Sequence, residues 1–209
     1  MTTATLARVE GLTPTAACTD LHQYASLVPA DQAIVEVGVY KARSACWLAA
    51  GAQAGHGAHV YAIDPWDLPG ERGPFLPVNN PGRHRVQFTH ATTRRQAHDN
   101  VRRAGLTDHI TLIQGFSTTV GNEWDGPTVG LMYIDGDHNE AAVHADVAAW
   151  RSHLAADAIV CFDDYQPRYE GVFAAVNSMV EAGELTIVDV RHGRLAITKH
   201  ASQVANSVR

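Results

Sequence analysis

The chain has 209 residues, 45% of them hydrophobic, which is enough for one domain with a sizeable core and short for a second full domain. Sixteen lysines and arginines stand against 22 aspartates and glutamates, and the net charge of −6 excludes a large phosphate-binding surface, so nucleic acid is an unfavourable partner. The chain has no run of eighteen apolar residues and no signal-peptide pattern at its start, so we expect a cytoplasmic protein without membrane contact.

The first thirty residues predict a helical cap, 1–30. Scattered apolar residues such as Leu6 and Leu21 fall into two groups, which Pro14 separates and Pro29 closes. That pattern is typical of two short helices that cover the edge of a sheet or the mouth of a site. The apolar residues that such helices leave exposed are consistent with a homodimer, although no motif specifies one.

A buried strand over 33–37 comes next, and a glycine ends it. Gly38 allows a tight turn into the Ala-rich helix predicted over 44–54, and backbone groups in such a turn can approach a ligand closely. A dinucleotide site requires three glycines at fixed places, and segment 38–43 has only the first of them. NAD and FAD are therefore disfavoured, whereas a nucleoside without a pyrophosphate would not need the second glycine.

The second predicted strand, over 59–63, ends at Asp64. An acidic residue there is placed to accept hydrogen bonds from two ribose hydroxyls, and a loop cap is the alternative. The following segment, 65–83, is rich in Pro, Gly and Asn, which predicts a lid or a mobile segment, with a disordered insertion as the alternative. Trp66 and Phe75 are candidates for an apolar lid that stacks on an acceptor, and Trp66 could equally pack beneath a bound base.

A polar helix over 87–104 and a third strand over 110–114 follow, and the strand runs into a loop at Gly115, Phe116 and Ser117. The basic residues of the helix are most simply explained as a solvated face. Because the loop lies at the carboxyl end of a strand, it is placed to border the same ligand site.

The stretch 131–164 predicts a strand, a helix and a second strand, with acidic residues after both strands. Four apolar residues share one face of the helical pattern: Val143, Val147, Trp150 and Leu154. A crossover of this kind makes parallel strands, and neighbouring strands lie about 4.8 Å apart. Asp135 is therefore expected to converge with Asp163 and Asp164 at the ligand-binding edge of the sheet.

Three carboxylates in one small space repel one another and raise each other's pKa unless a cation or an arginine lies among them. A hard divalent cation with oxygen ligands, Mg²⁺ for preference, fits the three best. The alternative is that Asp135 is only the polar end of a strand and that Asp163 and Asp164 form a turn or a helix cap. His138 lies three residues beyond Asp135, which makes a purely structural role of the three aspartates less favourable.

The last part of the chain predicts a helix over 171–182, a hairpin with strands 185–190 and 195–198, and a frayed tail over 201–209. Together the elements predict one domain, 1–209, with a doubly wound α/β fold. Its sheet is expected to have seven mostly parallel strands and an antiparallel C-terminal hairpin. Because this fold serves many functions, the site must decide among them.

Five segments, in order, resemble the strand-end motifs of class I S-adenosylmethionine-dependent methyltransferases: IVEVGVYKARSACWLA, VYAIDPWD, ITLIQGFS, VGLMYIDGDH and AIVCFDDY. More narrowly, they are similar to the metal-dependent O-methyltransferases, which include catechol O-methyltransferase and the macrolide sugar O-methyltransferases. The resemblance covers about residues 33–165 and implies S-adenosylmethionine and Mg²⁺ as cofactors. The first motif alone is weak, and the five in order are specific.

The resemblance implies a role for each matching residue. The residues expected at the cofactor are Glu36, Gly38, Tyr40 and Ser44 around the methionine part, Asp64 at the ribose, Gly115, Phe116 and Ser117 along the adenine, and Asp135. The expected metal ligands are Asp135, Asp163 and Asp164. His138 falls where catechol O-methyltransferase has its catalytic lysine and the macrolide sugar enzymes a histidine. His138 is therefore the expected base, and Asp135 is expected to act through the metal. The alternative for His138 is a structural role at the start of a helix, hydrogen-bonded to a neighbouring carboxylate.

The chain departs from the family pattern at Ala42, where members usually have glycine, and the extra methyl group is expected to narrow the cofactor cleft. The residues expected to contact the acceptor are His144, Trp66 and Tyr165.

The resulting hypothesis is an S-adenosylmethionine- and Mg²⁺-dependent O-methyltransferase with a small-molecule or oligosaccharide acceptor. The methylated hydroxyl would belong to a sugar, an oligosaccharide or a glycosylated natural product. This preference depends on His138 and on the absence of an aromatic-rich insert suited to flat phenols. A phenolic, catechol-type O-methyltransferase is the nearest alternative. A metal-dependent hydrolase or hydroxylase with the same aspartates and no methyl donor is a more distant one.

Overall fold

The computed structural model of the chain describes residues 3–66 and 90–200, with side chains from residue 92 onward in the second range. The predicted lid beyond Trp66, the start of the helix predicted from residue 87 and the predicted tail lie outside the described residues. No helix within the two described ranges combines the length and the apolar content that a bilayer crossing requires.

A seven-stranded sheet organises the described ranges. Its strands are β1 (Ala33–Val37), β2 (His59–Asp64), β3 (Ile110–Gln114), β4 (Val129–Ile134), β5 (Leu154–Phe162), β6 (Leu185–Arg191) and β7 (Leu195–His200). Their order across the sheet is β3-β2-β1-β4-β5-β7-β6. The first five strands are parallel, and the hairpin of β6 and β7 joins β5 in antiparallel pairing. The predicted doubly wound fold is confirmed.

Helices cover both faces of this sheet. Those in the described ranges are α1 (Thr3–Leu6), α2 (Thr15–Ala25), α3 (Arg43–Ala54), α4 (His90–Arg103), α5 (Ser117–Asn122), α6 (Glu140–Trp150) and α7 (Glu170–Glu181). One core cluster contains residues of α1 to α4, and a second contains residues of α6 and α7. The two short helices predicted for the N-terminal cap are present as α1 and α2. Leu12 and Leu27 of the cap are exposed, and the homodimer stays a prediction.

Burial on both faces explains the apolar run of β1. All five residues of this strand are buried, with Ile34 in the cluster of α1 to α4 and Val35 in the opposite cluster. Because side chains alternate along a strand, a strand covered on both faces is apolar throughout. Glu36 breaks that pattern as the charged residue of a fully buried strand.

Two element boundaries differ from the sequence prediction. Leu154 was expected on the face of the helix, but α6 ends at Trp150 and a 3-10 turn over Arg151–His153 returns the chain to the sheet. Leu154 instead begins β5, where it pairs with Val129 of β4. Ser117 was expected in a loop and begins the short helix α5.

Candidate cofactor and metal site

Backbone hydrogen bonds bring the ends of the three central strands together. The Asp135 N–H donates to the Val37 carbonyl oxygen (2.8 Å), and the Asp163 N–H donates to that of Ile134 (3.0 Å). These bonds extend the pairing of β1, β4 and β5 beyond the strands themselves. The acidic residues that follow β4 and β5 therefore lie side by side at the carboxyl edge, where open parallel sheets bind ligands.

Gly38 joins the end of β1 to the end of β4. Its φ is +86°, a conformation that favours glycine. A Cβ atom at this position would lie 2.1 Å from the Asp135 carbonyl oxygen, so the two backbone segments are in contact here. The predicted tight turn is present, and it leaves no room for a side chain.

The turn after Gly38 contains further residues with positive φ, namely Tyr40 at +50° and Ala42 at +61°. Ala42 precedes α3 and is fully buried. A non-glycine residue in the left-handed region costs roughly 1 kcal/mol or more, which explains why the resembling family prefers glycine here.

Glu36 is a buried carboxylate without a hydrogen-bond partner among the described residues. Its side chain is fully buried, and neither of its oxygens accepts a hydrogen bond. Burial raises the pKa of Glu36 to about 8. The neighbouring buried Ser44 opposes this rise only in part, and its hydroxyl lies outside hydrogen-bond geometry with the carboxylate. Burying a carboxylate is costly unless a cationic group pairs with it. Glu36 and Ser44 therefore fit the ammonium group of an amino-acid ligand.

Asp64 holds two loops together. Its Oδ2 accepts hydrogen bonds from the N–H groups of Val39 (2.9 Å) and Tyr40 (2.8 Å), and its Oδ1 accepts one from Trp66 (2.7 Å). A carboxylate has room for about four hydrogen bonds, so one remains for a ligand hydroxyl. The predicted loop cap is thus present. The contact with a ribose stays a prediction, and Asp64 has room for only one hydrogen bond from a ribose hydroxyl.

Trp66 does not form an exposed lid. It is 3% exposed, and its indole N–H donates to the Tyr40 carbonyl oxygen (3.0 Å). These contacts fix the side chain inside the core cluster that contains α3, and the acceptor contact of Trp66 stays a prediction. Phe75, the other aromatic residue of the predicted lid, lies outside the described residues.

The loop after β3 leads directly into α5. The Gly115 N–H donates to the Asp64 carbonyl oxygen (3.1 Å), which holds this loop beside the end of β2. The buried Ser117 hydroxyl accepts a hydrogen bond from the Trp150 indole (3.0 Å). Because that hydroxyl is engaged inside the protein, the backbone around Phe116 is the part that a bound base could contact.

Asp135, His138 and Asp164 converge in space. Each offers one ligand atom, and these atoms lie within 4.8 Å of one another. The Tyr133 hydroxyl donates to Asp135 Oδ2 (3.1 Å), and His138 Nε2 lies 3.3 Å from Asp164 Oδ2. The structure brings these groups together as the strand-helix-strand pattern predicts, while their roles stay predictions.

Burial and mutual repulsion raise the pKa of both aspartates. For Asp135, burial contributes most and the charges of Asp163 and Asp164 follow. For Asp164, burial and Asp163 raise the pKa, and the charges of Arg194 and His138 oppose them. A further cation among these carboxylates would favour their ionised forms.

Asp163 is paired with an arginine that the sequence analysis did not identify. Arg194, immediately before β7, donates from Nε to Asp163 Oδ1 (2.9 Å) and from Nη2 to Asp163 Oδ2 (2.5 Å). Both oxygens of Asp163 thus bind the guanidinium group, and the metal-ligand role of this residue stays a prediction. Repulsion among the three carboxylates predicts a cation or an arginine at this place, but nothing in the local sequence connects residues 31 positions apart.

Two residues expected to contact the acceptor pack against α7. His144 Nε2 lies 3.0 Å from the Ser178 hydroxyl, between α6 and α7. The Tyr165 hydroxyl donates to Asn177 Oδ1 (2.9 Å), and the Tyr165 ring stacks on Phe173. These polar groups are used in helix packing, and the acceptor contacts of His144 and Tyr165 stay predictions.

Tyr169 and Arg168 border the site beside His138. The ring centroids of Tyr169 and His138 are 4.9 Å apart, and the guanidinium carbon of Arg168 lies 4.9 Å from the Tyr169 centroid. The sequence gives no signal for either residue, because both lie between β5 and α7, where no periodic pattern exists. They place an aromatic face and a positive charge next to the candidate base.

The donor set fits a divalent metal ion. Asp164 Oδ1 is buried and accepts no hydrogen bond among the described residues, since the 2.9 Å contact with Arg194 Nη2 lacks hydrogen-bond geometry. Carboxylate oxygens suit Mg²⁺ or Mn²⁺, and an imidazole nitrogen also suits Zn²⁺. Asp135 and Asp164 are the residues that would hold such an ion, and the His138 ring lies beside them.

A comparison with protein families matches residues 35–165 to a methyltransferase domain. Among similar solved structures is the O-methyltransferase from Bacillus cereus in complex with SAH, at 16% identity and a TM-score of 0.62, covering 94% of this chain and 85% of that one. TomG from Streptomyces achromogenes, an O-methyltransferase of tomaymycin synthesis in complex with SAM, has 15% identity, a TM-score of 0.63 and coverages of 94% and 86%. CalS11, a TDP-rhamnose 3'-O-methyltransferase of calicheamicin biosynthesis, has 19% identity, a TM-score of 0.60 and coverages of 88% and 77%. At these identities the likeness shows the fold.

Proposed function

The chain belongs to this family of methyltransferase domains, and we propose that it transfers a methyl group from S-adenosylmethionine to a hydroxyl oxygen with the help of a divalent metal ion, Mg²⁺ for preference. The acceptor we propose is a sugar, an oligosaccharide or a glycosylated natural product. The observation that carries the proposal is the convergence of Asp135, His138 and Asp164 within 4.8 Å, next to the turn at Gly38.

The cofactor end of the site is built from β1 and the turn after it. Glu36 and Ser44 offer buried polar groups to the ammonium of the methionine part, and Gly38 lets the backbone approach the ligand. Asp64 can add one hydrogen bond to a ribose hydroxyl. These groups hold the donor at the same sheet edge as the carboxylates, so positioning supplies a large part of the catalysis.

S-adenosylmethionine supplies an activated methyl carbon, and a divalent ion lowers the pKa of a hydroxyl that it contacts. Asp135 and Asp164 would hold that ion beside the acceptor. His138 would accept the hydroxyl proton as the new oxygen–carbon bond forms and the carbon–sulfur bond breaks. The His138 side chain is 40% exposed, so an acceptor can reach its ring. Histidines exchange protons readily near neutral pH.

Turnover with and without a chelator tests the proposal. We expect EDTA to lower methylation about 100-fold or more and excess Mg²⁺ to restore it, because the acceptor hydroxyl is a weak acid. Calorimetry should show nearly unchanged binding of S-adenosylhomocysteine under both conditions. Undiminished turnover in EDTA would remove the metal from the mechanism and leave Arg194 as the cation among the carboxylates. Failure to bind S-adenosylhomocysteine would contradict the cofactor assignment.

The same assay distinguishes a sugar acceptor from a phenol. The histidine in the base position supports a sugar, as does the fold shared with CalS11, which acts on TDP-rhamnose. We expect kcat/KM to be higher for TDP-rhamnose or a rhamnoside than for catechol. A preference for catechol would assign the phenolic alternative instead.

Glu36→Gln tests the cofactor end through its pH dependence. Burial raises the pKa of Glu36 from 4.5 to about 8, so this carboxyl group is bound to a proton in the folded, ligand-free protein at neutral pH. The contribution of Glu36 to the free energy of unfolding is complete below the pKa that the group has in the unfolded chain. This contribution is lost as the pH rises through about 8, the pKa in the folded protein. We therefore expect the ligand-free variant to be more stable than the wild type at pH 9 and nearly equal to it at pH 5.

Urea unfolding at the two pH values measures this difference, and calorimetry with S-adenosylhomocysteine should show binding weakened about tenfold. The exposed Glu123, changed to glutamine, is the matched control and should alter neither quantity. Unchanged affinity in Glu36→Gln would mean that no ammonium group binds beside this carboxylate. Lower stability at pH 9 would mean that Glu36 has a cationic partner in the fold.

A further inference from the structure

We propose that Arg194 is a positioning residue that withholds Asp163 from the metal, so that the ion is bound by Asp135 and Asp164, with His138 beside it as the base. This inference rests on the proposed function, because it concerns the ligand set of the same site. It leaves two aspartate ligands, Asp135 and Asp164, in place of three, and it assigns Asp163 the role of counter-charge.

The pairing of Arg194 with Asp163 is bidentate and buried. The Nε and Nη2 atoms of Arg194 each donate to a different oxygen of Asp163, at 2.9 and 2.5 Å. The Asp163 side chain is 1% exposed and that of Arg194 is 19% exposed. Bidentate, charge-assisted pairs are strong, and removing one partner of a buried pair is costly. Each Asp163 oxygen keeps a lone pair, but the guanidinium charge opposes a metal ion there, and Asp163 is not among the three residues whose ligand atoms lie within 4.8 Å of one another.

The hairpin and the N-terminal cap fix Arg194 in place. The Tyr165 N–H donates to the Arg194 carbonyl oxygen (2.7 Å), and the Arg194 N–H donates to that of Arg191 (2.9 Å). At the tip of the hairpin, His192 Nε2 lies 2.7 Å from Asp20 Oδ2 of α2. This backbone hydrogen bond joins Arg194 to Tyr165, the residue after Asp164. It therefore holds the guanidinium group next to Asp163 and Asp164.

Asp164 remains available although it is next to Asp163. Its Oδ1 is 2.9 Å from Arg194 Nη2 but accepts no hydrogen bond, since that nitrogen is directed at Asp163. Its Oδ2 faces His138 Nε2 at 3.3 Å. The φ of Asp164 is +54°, in the left-handed region. Arg194 also offsets one of the three negative charges of Asp135, Asp163 and Asp164. Two negative charges remain, and a divalent ion would neutralise them.

Titration with Mn²⁺, followed by the signal of the free ion in electron paramagnetic resonance, tests the ligand set without measuring activity. In the double variant Asp163→Asn with Arg194→Gln, a neutral hydrogen-bonded pair replaces the ion pair and the site charge is unchanged. We expect its Mn²⁺ affinity to stay close to that of the wild type. Asp135→Asn and Asp164→Asn should each weaken Mn²⁺ binding about 100-fold, because each loses a ligand and a charge.

The single variant Arg194→Gln gives the opposite sign. It releases Asp163 as an additional ligand and adds one unbalanced negative charge, so we expect Mn²⁺ to bind about tenfold more tightly. Loss of the positive charge alone would also tighten binding, so a variant that keeps the charge is needed to detect the release of Asp163. Arg194→Lys keeps the charge without the planar fork and should lie between the wild type and Arg194→Gln. Circular dichroism of each variant checks that the protein is folded.

Loss of Mn²⁺ binding in the double variant, to the extent seen for Asp164→Asn, would make Asp163 a metal ligand and overturn this inference, with the proposed function intact. If the double variant does not fold, Mn²⁺ binding in Arg194→Lys that is no tighter than in the wild type would overturn the inference, and tighter binding in Arg194→Lys would support it. Absence of Mn²⁺ binding in the wild type would overturn both this inference and the metal part of the proposed function. Methyl transfer measured in EDTA would then show whether the chain is a methyltransferase that works without a metal ion.

Discussion

Replacing Gly38 with alanine is expected to lower the free energy of unfolding by about 4 kcal/mol and to abolish binding of S-adenosylhomocysteine. The new Cβ atom would lie 2.1 Å from the Asp135 carbonyl oxygen, 2.5 Å from its carbonyl carbon and 2.8 Å from Gly136 Cα. All three are backbone atoms, and the bond from the Asp135 N–H to Val37 holds them in place. The contact can be relieved only by separating the ends of β1 and β4.

Gly57→Ala is the matched control for this substitution. Gly57 has a φ of +85°, nearly that of Gly38, but a Cβ atom there would meet nothing within 4 Å. It therefore carries the backbone strain without the clash, and we expect a cost of about 1 kcal/mol and unchanged ligand binding. Equilibrium unfolding in urea measures both variants. Equal costs would mean that the edge of the sheet yields at Gly38, contrary to the close contact described above.

The sequence predicts the sheet well because burial of the central strands acts on consecutive residues. β1 and β4 are covered on both faces, so each is an apolar run, and Gly38 and Asp135 mark where the two runs end. The ends of parallel strands share one edge, so the residues just beyond them can be grouped without coordinates. The convergence of Asp135 with Asp164 follows from this argument alone.

Residues whose role depends on a distant partner were not predictable in the same way. Arg194 has no local pattern, and only its contact with Asp163 distinguishes it from the other arginines. Trp66 belongs to a loop by composition, but composition does not record that its indole turns inward to Tyr40. The helix α5 has six residues, too few for a periodic pattern to emerge.

The two interpretations of Asp64 show why alternatives from sequence need not exclude each other. Its position at the end of β2 indicated either a ribose ligand or a loop cap. Three backbone N–H groups from two loops bind its oxygens, so the cap exists, yet one acceptor position remains. A carboxylate that fixes the loops around a cofactor can also contact the cofactor, because its capacity exceeds either task.

Asp135→Asn is expected to lower kcat/KM about a thousandfold. Asparagine has the same shape and can accept the hydrogen bond from Tyr133, but it lacks the charge that would hold a divalent ion. Binding of S-adenosylhomocysteine should remain largely intact, because the cofactor groups on β1 are unchanged. Asp137→Asn is the control from the same loop. Asp137 is exposed and accepts a hydrogen bond from the Asn139 N–H, so its replacement should leave turnover nearly unchanged.

The metal-free Asp135→Asn variant is also expected to be more stable than the wild type. Burial and the charges of Asp163 and Asp164 raise the pKa of Asp135, so ionising this group costs stability as the pH rises. Asparagine cannot ionise, and urea unfolding of the metal-free proteins at pH 8 should show the gain. Lower stability would mean that the Arg194 charge already compensates Asp135 as well as Asp163. A substitution that stabilises the fold while removing activity identifies a carboxylate that is kept for its chemistry, because a purely structural residue would lose both together.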